Sequence, residues 1–335
     1  MTAQSITRVL SISTLTAASL LACPLQAQAQ AYSQLVFFGD SVSDSGNVAL
    51  ALGFAQGVPQ TITGNSYIPD YPYYTSGRFS NGPVWAEDFA GLLGRSAAPS
   101  LAGGSNFAWG SARTGGSGHQ VPTLTEQAQQ FLTSVGQVAP AGALYVIAEV
   151  GNDARDALVA LATSPNPAQT IQQFALDYAG HIGGIVDNLR GHGAQSFLVF
   201  DNVNLGVVPA ITFAGGGVPG LATYVTSVMN TALATRLQGQ SGLTMFDTFS
   251  FIDGVVQQPA AYGFANASDA CGAIAGADCS RYVFWDGLHP TAAMHQLIAN
   301  AAFAAAVPEP STLALLAVGL VGLLCASRRR HSALE

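Results

Sequence analysis

Residues 35–47 read LVFFGDSVSDSGN. The first four are apolar, and such a run predicts a short strand buried within a parallel sheet. A glycine, an acid and Ser41 follow, and then small polar residues that favour the start of a helix. We therefore expect Ser41 between a strand end and a helix start, beside free backbone N–H groups and the positive end of the helix dipole. That position suits a nucleophile whose attack creates an oxyanion, although the stretch alone also fits a plain Ser/Asp-rich turn.

Two distant segments supply the other groups that a serine nucleophile needs. Asp286 and His289 stand three residues apart on one predicted loop, so they can serve as the orienting carboxylate and the base. Asn152 follows an apolar run typical of a strand and can offer its side-chain N–H to the oxyanion. Together the three segments indicate a serine hydrolase.

These segments resemble the sequence blocks of the SGNH (GDSL) hydrolase family, in that family's order. The matching residues are Phe38-Gly39-Asp40-Ser41, Ser105 to Gly110, Gly151-Asn152-Asp153, and Asp286 with His289, beside Ser76 to Trp85, which resembles a segment of the lipase/esterase branch. The resemblance spans residues 33–306 and implies an α/β fold, a flavodoxin-like three-layer α/β/α sandwich with a central parallel sheet. It also implies ester hydrolysis through an acyl-enzyme, with Ser41 as nucleophile, His289 as general base and Asp286 as orienting carboxylate.

The resemblance further implies three donors for the oxyanion. They would be the backbone N–H of Ser41, the N–H of Gly110 and the side chain of Asn152. The family's second block usually ends in paired glycines, whereas this chain has Ser111 after Gly110. Either of these two N–H groups is therefore a candidate.

The rest of the pattern predicts one domain of alternating strands and helices. Strands are predicted at 35–38, 144–150, 197–200 and 243–246, and helices at 168–189, 221–237 and 291–305. Such alternation favours parallel pairing, with ligands at the carboxyl ends of the strands. Residues 56–74 predict an irregular loop over the substrate entrance. We interpret its tyrosines mainly as residues that pack the loop onto the domain. The alternative is that they form an aromatic wall for an acyl chain or a sugar ring. Asp40 and Asp44 are expected to accept backbone N–H groups rather than to react.

Composition bounds the partners. The chain has 335 residues, 49% of them hydrophobic, and a formal net charge of −8, which does not favour binding to nucleic acid. We expect no cofactor, since Pro219 interrupts the glycine pattern at 215–220 that would hold a dinucleotide. We also expect no metal, because no His/Cys cluster has zinc spacing. Cys271 and Cys279 predict a disulfide, with two free thiols as the alternative.

The first 31 residues predict a secretory signal peptide. An arginine and the apolar run 9–25 precede a series of small residues, with cleavage expected after Ala29 or Ala31. Residues 20–23 also match a lipobox, which would make Cys23 a lipidated first residue. A proline follows the cysteine, so we rank lipidation below ordinary cleavage.

The last segment, 307–335, begins VPEPST and continues with an apolar span and three arginines. It resembles the PEP-CTERM sorting signal of Gram-negative bacteria, which implies processing by an exosortase-type enzyme. The 17 residues 311–327 are at the short limit for a transmembrane segment, so a plain membrane anchor is the alternative. We expect an exported protein, in the periplasm, at the cell surface or in the extracellular matrix, transiently anchored in the inner membrane. The hydrolase domain is then 32–306.

The function expected from the whole chain is a secreted or surface-associated serine ester hydrolase. Its substrate would be an acyl ester or an acetylated glycan. Removal of acetyl groups from an exopolysaccharide, phospholipase or acyltransferase activity, and a non-catalytic surface-binding role on the same scaffold are the alternatives.

Overall fold

Four short parallel strands form the central sheet of the part of the chain that the computed structural model describes, residues 32–53 and 58–307 together with Gly319. The strands are β1 (Gln34–Gly39), β2 (Ala143–Ala148), β3 (Ser196–Phe200) and β4 (Leu243–Phe246). They lie in the order β1-β2-β3-β4, each parallel to its neighbour. Strands β1 and β2 are almost fully buried, which explains why their sequences are continuously apolar rather than alternating.

An extended segment also lies along the outer edge of β1. Phe37 donates its N–H to the carbonyl of Ser105 at 3.0 Å, and Phe107 donates back to the carbonyl of Phe37 at 2.8 Å. Strand β1 therefore has a neighbour on each side. The residues that follow it, beginning with Asp40 and Ser41, leave the sheet from a firmly held strand end.

Helices cover both faces of this sheet. The described helices are α1 (Asn47–Ala51), α2 (Trp85–Leu92), α3 (Leu124–Ser134), α4 (Asn152–Leu161), α5 (Pro167–Gly191), α6 (Pro209–Ala214), α7 (Val218–Leu237), α8 (Thr248–Gln257) and α9 (Ala292–Ala306). Successive side chains of a strand point to opposite faces. Accordingly, Phe37 packs edge-on against Phe89 of α2 with ring centroids 6.3 Å apart, whereas Phe38 packs against Phe131 of α3 at 5.9 Å. The predicted three-layer α/β/α arrangement with a parallel sheet is thereby confirmed.

The predicted elements are present with bounds that shift by a few residues. Helix α7 begins at Val218, ahead of the predicted start at residue 221, because a proline fits the first turn of a helix. Helices α2, α3, α4, α6 and α8 are additional to the predicted ones. For α3 a local signal exists: Thr123 and Glu126 exchange side-chain and backbone hydrogen bonds as a capping box. A short two-stranded parallel sheet of β5 (Asn266–Ala270) and β6 (Tyr282–Phe284) is also additional.

The described residues 32–53 and 58–307 form one compact unit. The predicted signal peptide at 1–31 and the sorting segment after residue 307 lie outside the described residues, so the domain boundaries stay a prediction. Among the described residues, no helix is long and apolar enough to cross a bilayer. The membrane segment predicted at 311–327 lies outside them as well, apart from Gly319.

Asp201, directly after β3, holds the start of α8. Its Oδ1 atom accepts the N–H groups of Thr248 at 2.7 Å and Phe249 at 3.2 Å. Burial raises the pKa of Asp201 to about 7, although these two hydrogen bonds favour the charged form. The fold therefore holds a carboxyl group whose charged form is disfavoured in the native state.

The substitution Asp201→Asn should change how stability depends on pH. The native pKa of Asp201 lies above its unfolded value, so the wild-type protein loses stability as the pH rises from about 4 to about 7. Asparagine keeps the accepting oxygen without the charge. We expect the free energy of unfolding of the variant to exceed that of wild type by up to about 4 kcal/mol at pH 8 but not at pH 4, as measured by urea unfolding. Asp177→Asn, on the exposed side of α5, serves as the control. A difference between Asp201→Asn and wild type that does not change with pH would contradict this account.

Candidate active site

Ser41, His289 and Asp286 lie in one hydrogen-bonded row. The Oγ atom of Ser41 is 2.9 Å from Nε2 of His289, and Nδ1 of the same ring is 2.8 Å from Oδ2 of Asp286. All three side chains are buried. Because a carboxylate accepts hydrogen bonds, Nδ1 carries the ring proton and Nε2 is left to accept from the Ser41 hydroxyl. A hydroxyl, a base and an orienting carboxylate in this order can perform acyl transfer.

The loop of residues 285–290 is folded around the carboxylate of Asp286. Its Oδ1 atom accepts the N–H groups of Leu288 and His289, both at 2.7 Å. Trp285 then donates its N–H to the carbonyl of His289 at 2.8 Å and closes the turn. Aspartate suits this place because its short side chain reaches N–H groups two and three residues ahead. The spacing of three residues thus fixes the base and the carboxylate in one rigid turn.

Tyr73 donates its hydroxyl to Oδ2 of Asp286 at 2.8 Å. Its side chain is 3% exposed, whereas Tyr71 and Tyr74 are 47% and 51% exposed. Burial and the neighbouring carboxylate raise the pKa of Tyr73, so the phenol stays a donor. The interpretation of these tyrosines as packing residues is therefore incomplete for Tyr73. No local pattern marks it, since its partner lies 213 residues away in the sequence.

Cys271 and Cys279 form the predicted disulfide, with Cα atoms 5.7 Å apart. The bridged segment supports the same loop, because Gly272 donates its N–H to the carbonyl of Trp285 at 2.9 Å. The Trp285 ring in turn packs edge-on against Tyr73, with ring centroids 5.7 Å apart. The disulfide therefore lies next to the groups that hold the Asp286 carboxylate.

Ser41 lies in a turn rather than at the start of a helix, which corrects the expectation from the sequence. Helix α1 begins at Asn47 and has five residues. The carboxylate of Asp44 accepts the N–H groups of Gly46 at 2.8 Å, Asn47 at 2.6 Å and Val48 at 3.2 Å. These three donors are thus occupied, and a helix this short adds little dipole at Ser41.

Asp40 joins the Ser41 turn to the segment before α4. Its Oδ1 atom accepts the N–H of Val42 at 2.9 Å, and its Oδ2 atom accepts the N–H of Val150 at 3.0 Å. Burial raises the pKa of Asp40 to about 6. The prediction that Asp40 and Asp44 accept backbone N–H groups is confirmed.

Gly110 cannot serve the oxyanion in this structure, because it donates its N–H to Oδ2 of Asp44 at 3.0 Å. This corrects the expectation for Gly110. The N–H of Ser111 has no acceptor among the described residues and becomes the candidate instead. Ser111 has φ of 65°, a strained conformation that explains why glycine is usual there in the family that the chain resembles. A Cβ atom on Gly110 would overlap the ring of Phe79, which packs 5.4 Å from the ring of His289.

Two further N–H donors near the Ser41 hydroxyl remain open. The backbone N–H of Ser41 has no acceptor within the part of the chain that the structure describes. Asn152 is the first residue of α4 and donates one side-chain N–H to the carbonyl of Ala112 at 3.0 Å. That hydrogen bond orients the amide, and its second N–H is left to bind an oxyanion.

Glu149 holds the segment that carries Asn152. One of its oxygens accepts the N–H groups of Gly151 at 3.2 Å, Asp153 at 3.1 Å and Asn152. Burial, together with the charges of Asp153 and Asp40, raises the pKa of Glu149 well above its ordinary value. Sequence reasoning missed Glu149, which stands three residues before Asn152 and acts as a cap. Among the described residues, no cluster of histidine, cysteine or acidic side chains could hold a metal ion.

Comparisons with known proteins agree with this architecture. The family model described as GDSL-like Lipase/Acylhydrolase matches residues 35–302, and the model of the PEP-CTERM protein-sorting motif matches residues 306–330. The GDSL esterase/lipase At1g73610 of Arabidopsis thaliana is 25% identical over 80% of this chain and 87% of its own length. The thermolabile hemolysin of Vibrio parahaemolyticus is 24% identical over 80% of this chain and 62% of its own length.

Among solved structures, LAE5, an alpha/beta hydrolase enzyme from the metagenome of Lake Arreo in Spain, is 15% identical with a TM-score of 0.40, over 82% of this chain and 95% of that one. The family model spans the sheet, Ser41, Asn152 and the loop of Asp286 and His289. The chain therefore belongs to the GDSL-like lipase/acylhydrolase family and carries a PEP-CTERM protein-sorting motif near its C-terminal end.

Proposed function

We propose that this chain is an exported serine hydrolase that cleaves carboxylic esters through an acyl-enzyme on Ser41. The row of hydrogen bonds from Ser41 through His289 to Asp286 carries the proposal. Membership of the GDSL-like family supports hydrolysis of esters, and the sorting motif supports export. The relatives named as esterases and lipases favour the same reaction class.

The reaction begins when Ser41 Oγ attacks the ester carbonyl carbon and His289 Nε2 takes the hydroxyl proton. The bond between the carbonyl carbon and the alcohol oxygen breaks, and His289 returns the proton to the departing alcohol. Water then attacks the acyl-enzyme with His289 again as the base, which releases the acid and restores Ser41. Asp286 holds the ring in the required tautomer throughout.

The oxyanion of each tetrahedral intermediate would be bound by the N–H groups of Ser41 and Ser111 and by the side chain of Asn152. The first two have no acceptor among the described residues, and Asn152 has one N–H left over. A donor of this kind contributes roughly 3 kcal/mol to the transition state. Glu149 and Asp40 hold the segments that carry these donors.

The sorting motif also suggests partners and a second candidate substrate. An exosortase-type enzyme would process the C-terminal segment, and the segment would hold the protein at the inner membrane until then. Export to the cell surface or matrix would bring the enzyme to extracellular polysaccharide. Removal of acetyl groups from such a polysaccharide is therefore the second candidate function, and it uses the same residues.

The substitution Ser41→Ala should abolish ester cleavage, because it removes the attacking oxygen. We expect kcat to fall by at least about 10⁴-fold on p-nitrophenyl acetate, with the free energy of unfolding unchanged. Ser43→Ala, in the same turn, is the control: it removes the acceptor of the Trp85 indole N–H but should leave kcat within about tenfold. Full turnover by Ser41→Ala would exclude Ser41 as the nucleophile.

The substitution Asn152→Ala should lower kcat by roughly 10²- to 10³-fold and leave KM nearly unchanged, because the side chain would bind the oxyanion and not the ground-state ester. Steady-state kinetics on the same ester measure this. Asn188→Ala, on the exposed face of α5, should change neither constant. A rise in KM at constant kcat would assign Asn152 to substrate binding instead.

The substitution Tyr73→Phe should lower kcat about tenfold, because it removes one donor from the carboxylate that orients His289. KM should stay the same, since Tyr73 touches Asp286 and not the ester. Tyr74→Phe is a matched control one residue away, with its side chain half exposed. Equal kcat values for the two variants would show that Tyr73 has no positioning role.

A further inference from the structure

A cavity of about 50 Å³ lies beside Ser41 and Asn152, which form part of its wall. The rest of the wall is mostly apolar and is contributed by several elements: Trp85 of α2, Phe200 of β3, Ile252 of α8, and Met294 and Ile298 of α9. These five side chains are all buried in the main hydrophobic core. The cavity is therefore a gap in well-packed structure that reaches the nucleophile.

The polar groups in this wall are already occupied, apart from those of Ser41 and Asn152. Asp40 accepts two backbone N–H groups, and the Thr248 hydroxyl donates to the carbonyl of Phe246 at 3.4 Å. No basic side chain lines the cavity within the described residues. A polar or charged ligand would find few hydrogen-bond partners there, whereas an apolar group gives up no hydrogen bonds when it leaves water.

We propose that this cavity, which we call the Ser41 cavity, is the acyl site of the enzyme and admits short acyl groups of two to four carbons. The inference rests on the proposed function and specifies its substrate class. It places the acyl chain among apolar side chains while the carbonyl carbon lies at Ser41 Oγ. The alcohol part of the ester, a simple alcohol or a sugar, stays outside the cavity.

The size of the Ser41 cavity sets the chain length. A volume of about 50 Å³ exceeds the roughly 10–15 Å³ that one water needs, but it is about a third of the roughly 150 Å³ of a cavity that binds benzene. It therefore holds two or three carbons beyond the carbonyl. Each methylene that fits should raise kcat/KM about four-fold, and a longer chain must displace close-packed core residues.

The test compares p-nitrophenyl acetate, butyrate, hexanoate, octanoate and palmitate on the full chain. The wild type should prefer butyrate to acetate, because two more methylenes fit the cavity, and kcat/KM should be at least tenfold lower on octanoate than on butyrate. Ile298→Ala removes three carbons from the wall and should raise the ratio of kcat/KM on hexanoate to that on acetate by at least tenfold. Val203→Leu adds a carbon to the wall and should lower the ratio for butyrate to acetate.

Ile182→Ala is the matched control, because Ile182 is equally buried on α5 but does not line the cavity. It should lose similar stability and keep the wild-type chain-length profile. Should Ile298→Ala fail to fold, Ile298→Val removes one carbon from the wall instead of three. It should raise the ratio of kcat/KM on hexanoate to that on acetate about threefold. Neither variant touches the reacting groups.

The outcomes separate this inference from the proposed function. A wild type that hydrolyses octanoate or palmitate best, or an Ile298→Ala variant with an unchanged profile, overturns the acyl site while leaving the esterase intact. A wild type that hydrolyses none of the five esters overturns both. Preference for short chains that shifts with Ile298 but not with Ile182 supports the acyl site.

Discussion

The site depends on one buried carboxylate whose two oxygens accept four hydrogen bonds. Oδ1 of Asp286 accepts two backbone N–H groups of its own loop, and Oδ2 accepts from His289 and from Tyr73. A carboxylate without exposure to water is costly unless it is fully hydrogen-bonded. The same four interactions fold the loop, orient the imidazole and dock the segment around Tyr73. Removing any one of these donors therefore acts on the geometry between His289 and Ser41.

Buried acids also organise the side of the site that carries Ser41, where a helix start was expected to do so. Asp44 occupies the first N–H groups of α1 and that of Gly110, while Asp40 and Glu149 occupy those around Val150 and Asn152. Burial raises the pKa values of these three acids, which means that holding their charged forms here costs folding free energy. Within the described residues, the N–H groups of Ser41 and Ser111 are among those that these acids leave unpaired. Both are therefore available to bind an oxyanion.

The sequence predicts the local features well and the long-range ones poorly. Apolar runs suffice for the four strands, and the three-residue spacing of Asp286 and His289 is a property of one turn. The N–H of Gly110 was expected to bind the oxyanion, but it binds Asp44, 66 residues away, so Ser111 becomes the candidate donor. The role of Tyr73 is not predicted by the sequence for the same reason, because its partner is distant along the chain. Only burial against Trp285 in the folded protein distinguishes it from its exposed neighbours. Hydrogen-bond partners distant in sequence leave no pattern in a single chain.

The central claim is that Ser41, activated by His289, forms a covalent acyl-enzyme. The most direct measurement is reaction of the full chain with a p-nitrophenyl phosphonate, followed by mass spectrometry of the intact protein and its peptides. The account predicts one phosphonyl group per chain, located on Ser41, and loss of labelling in His289→Ala. Labelling of another serine, or none at all in protein that hydrolyses esters, would contradict it.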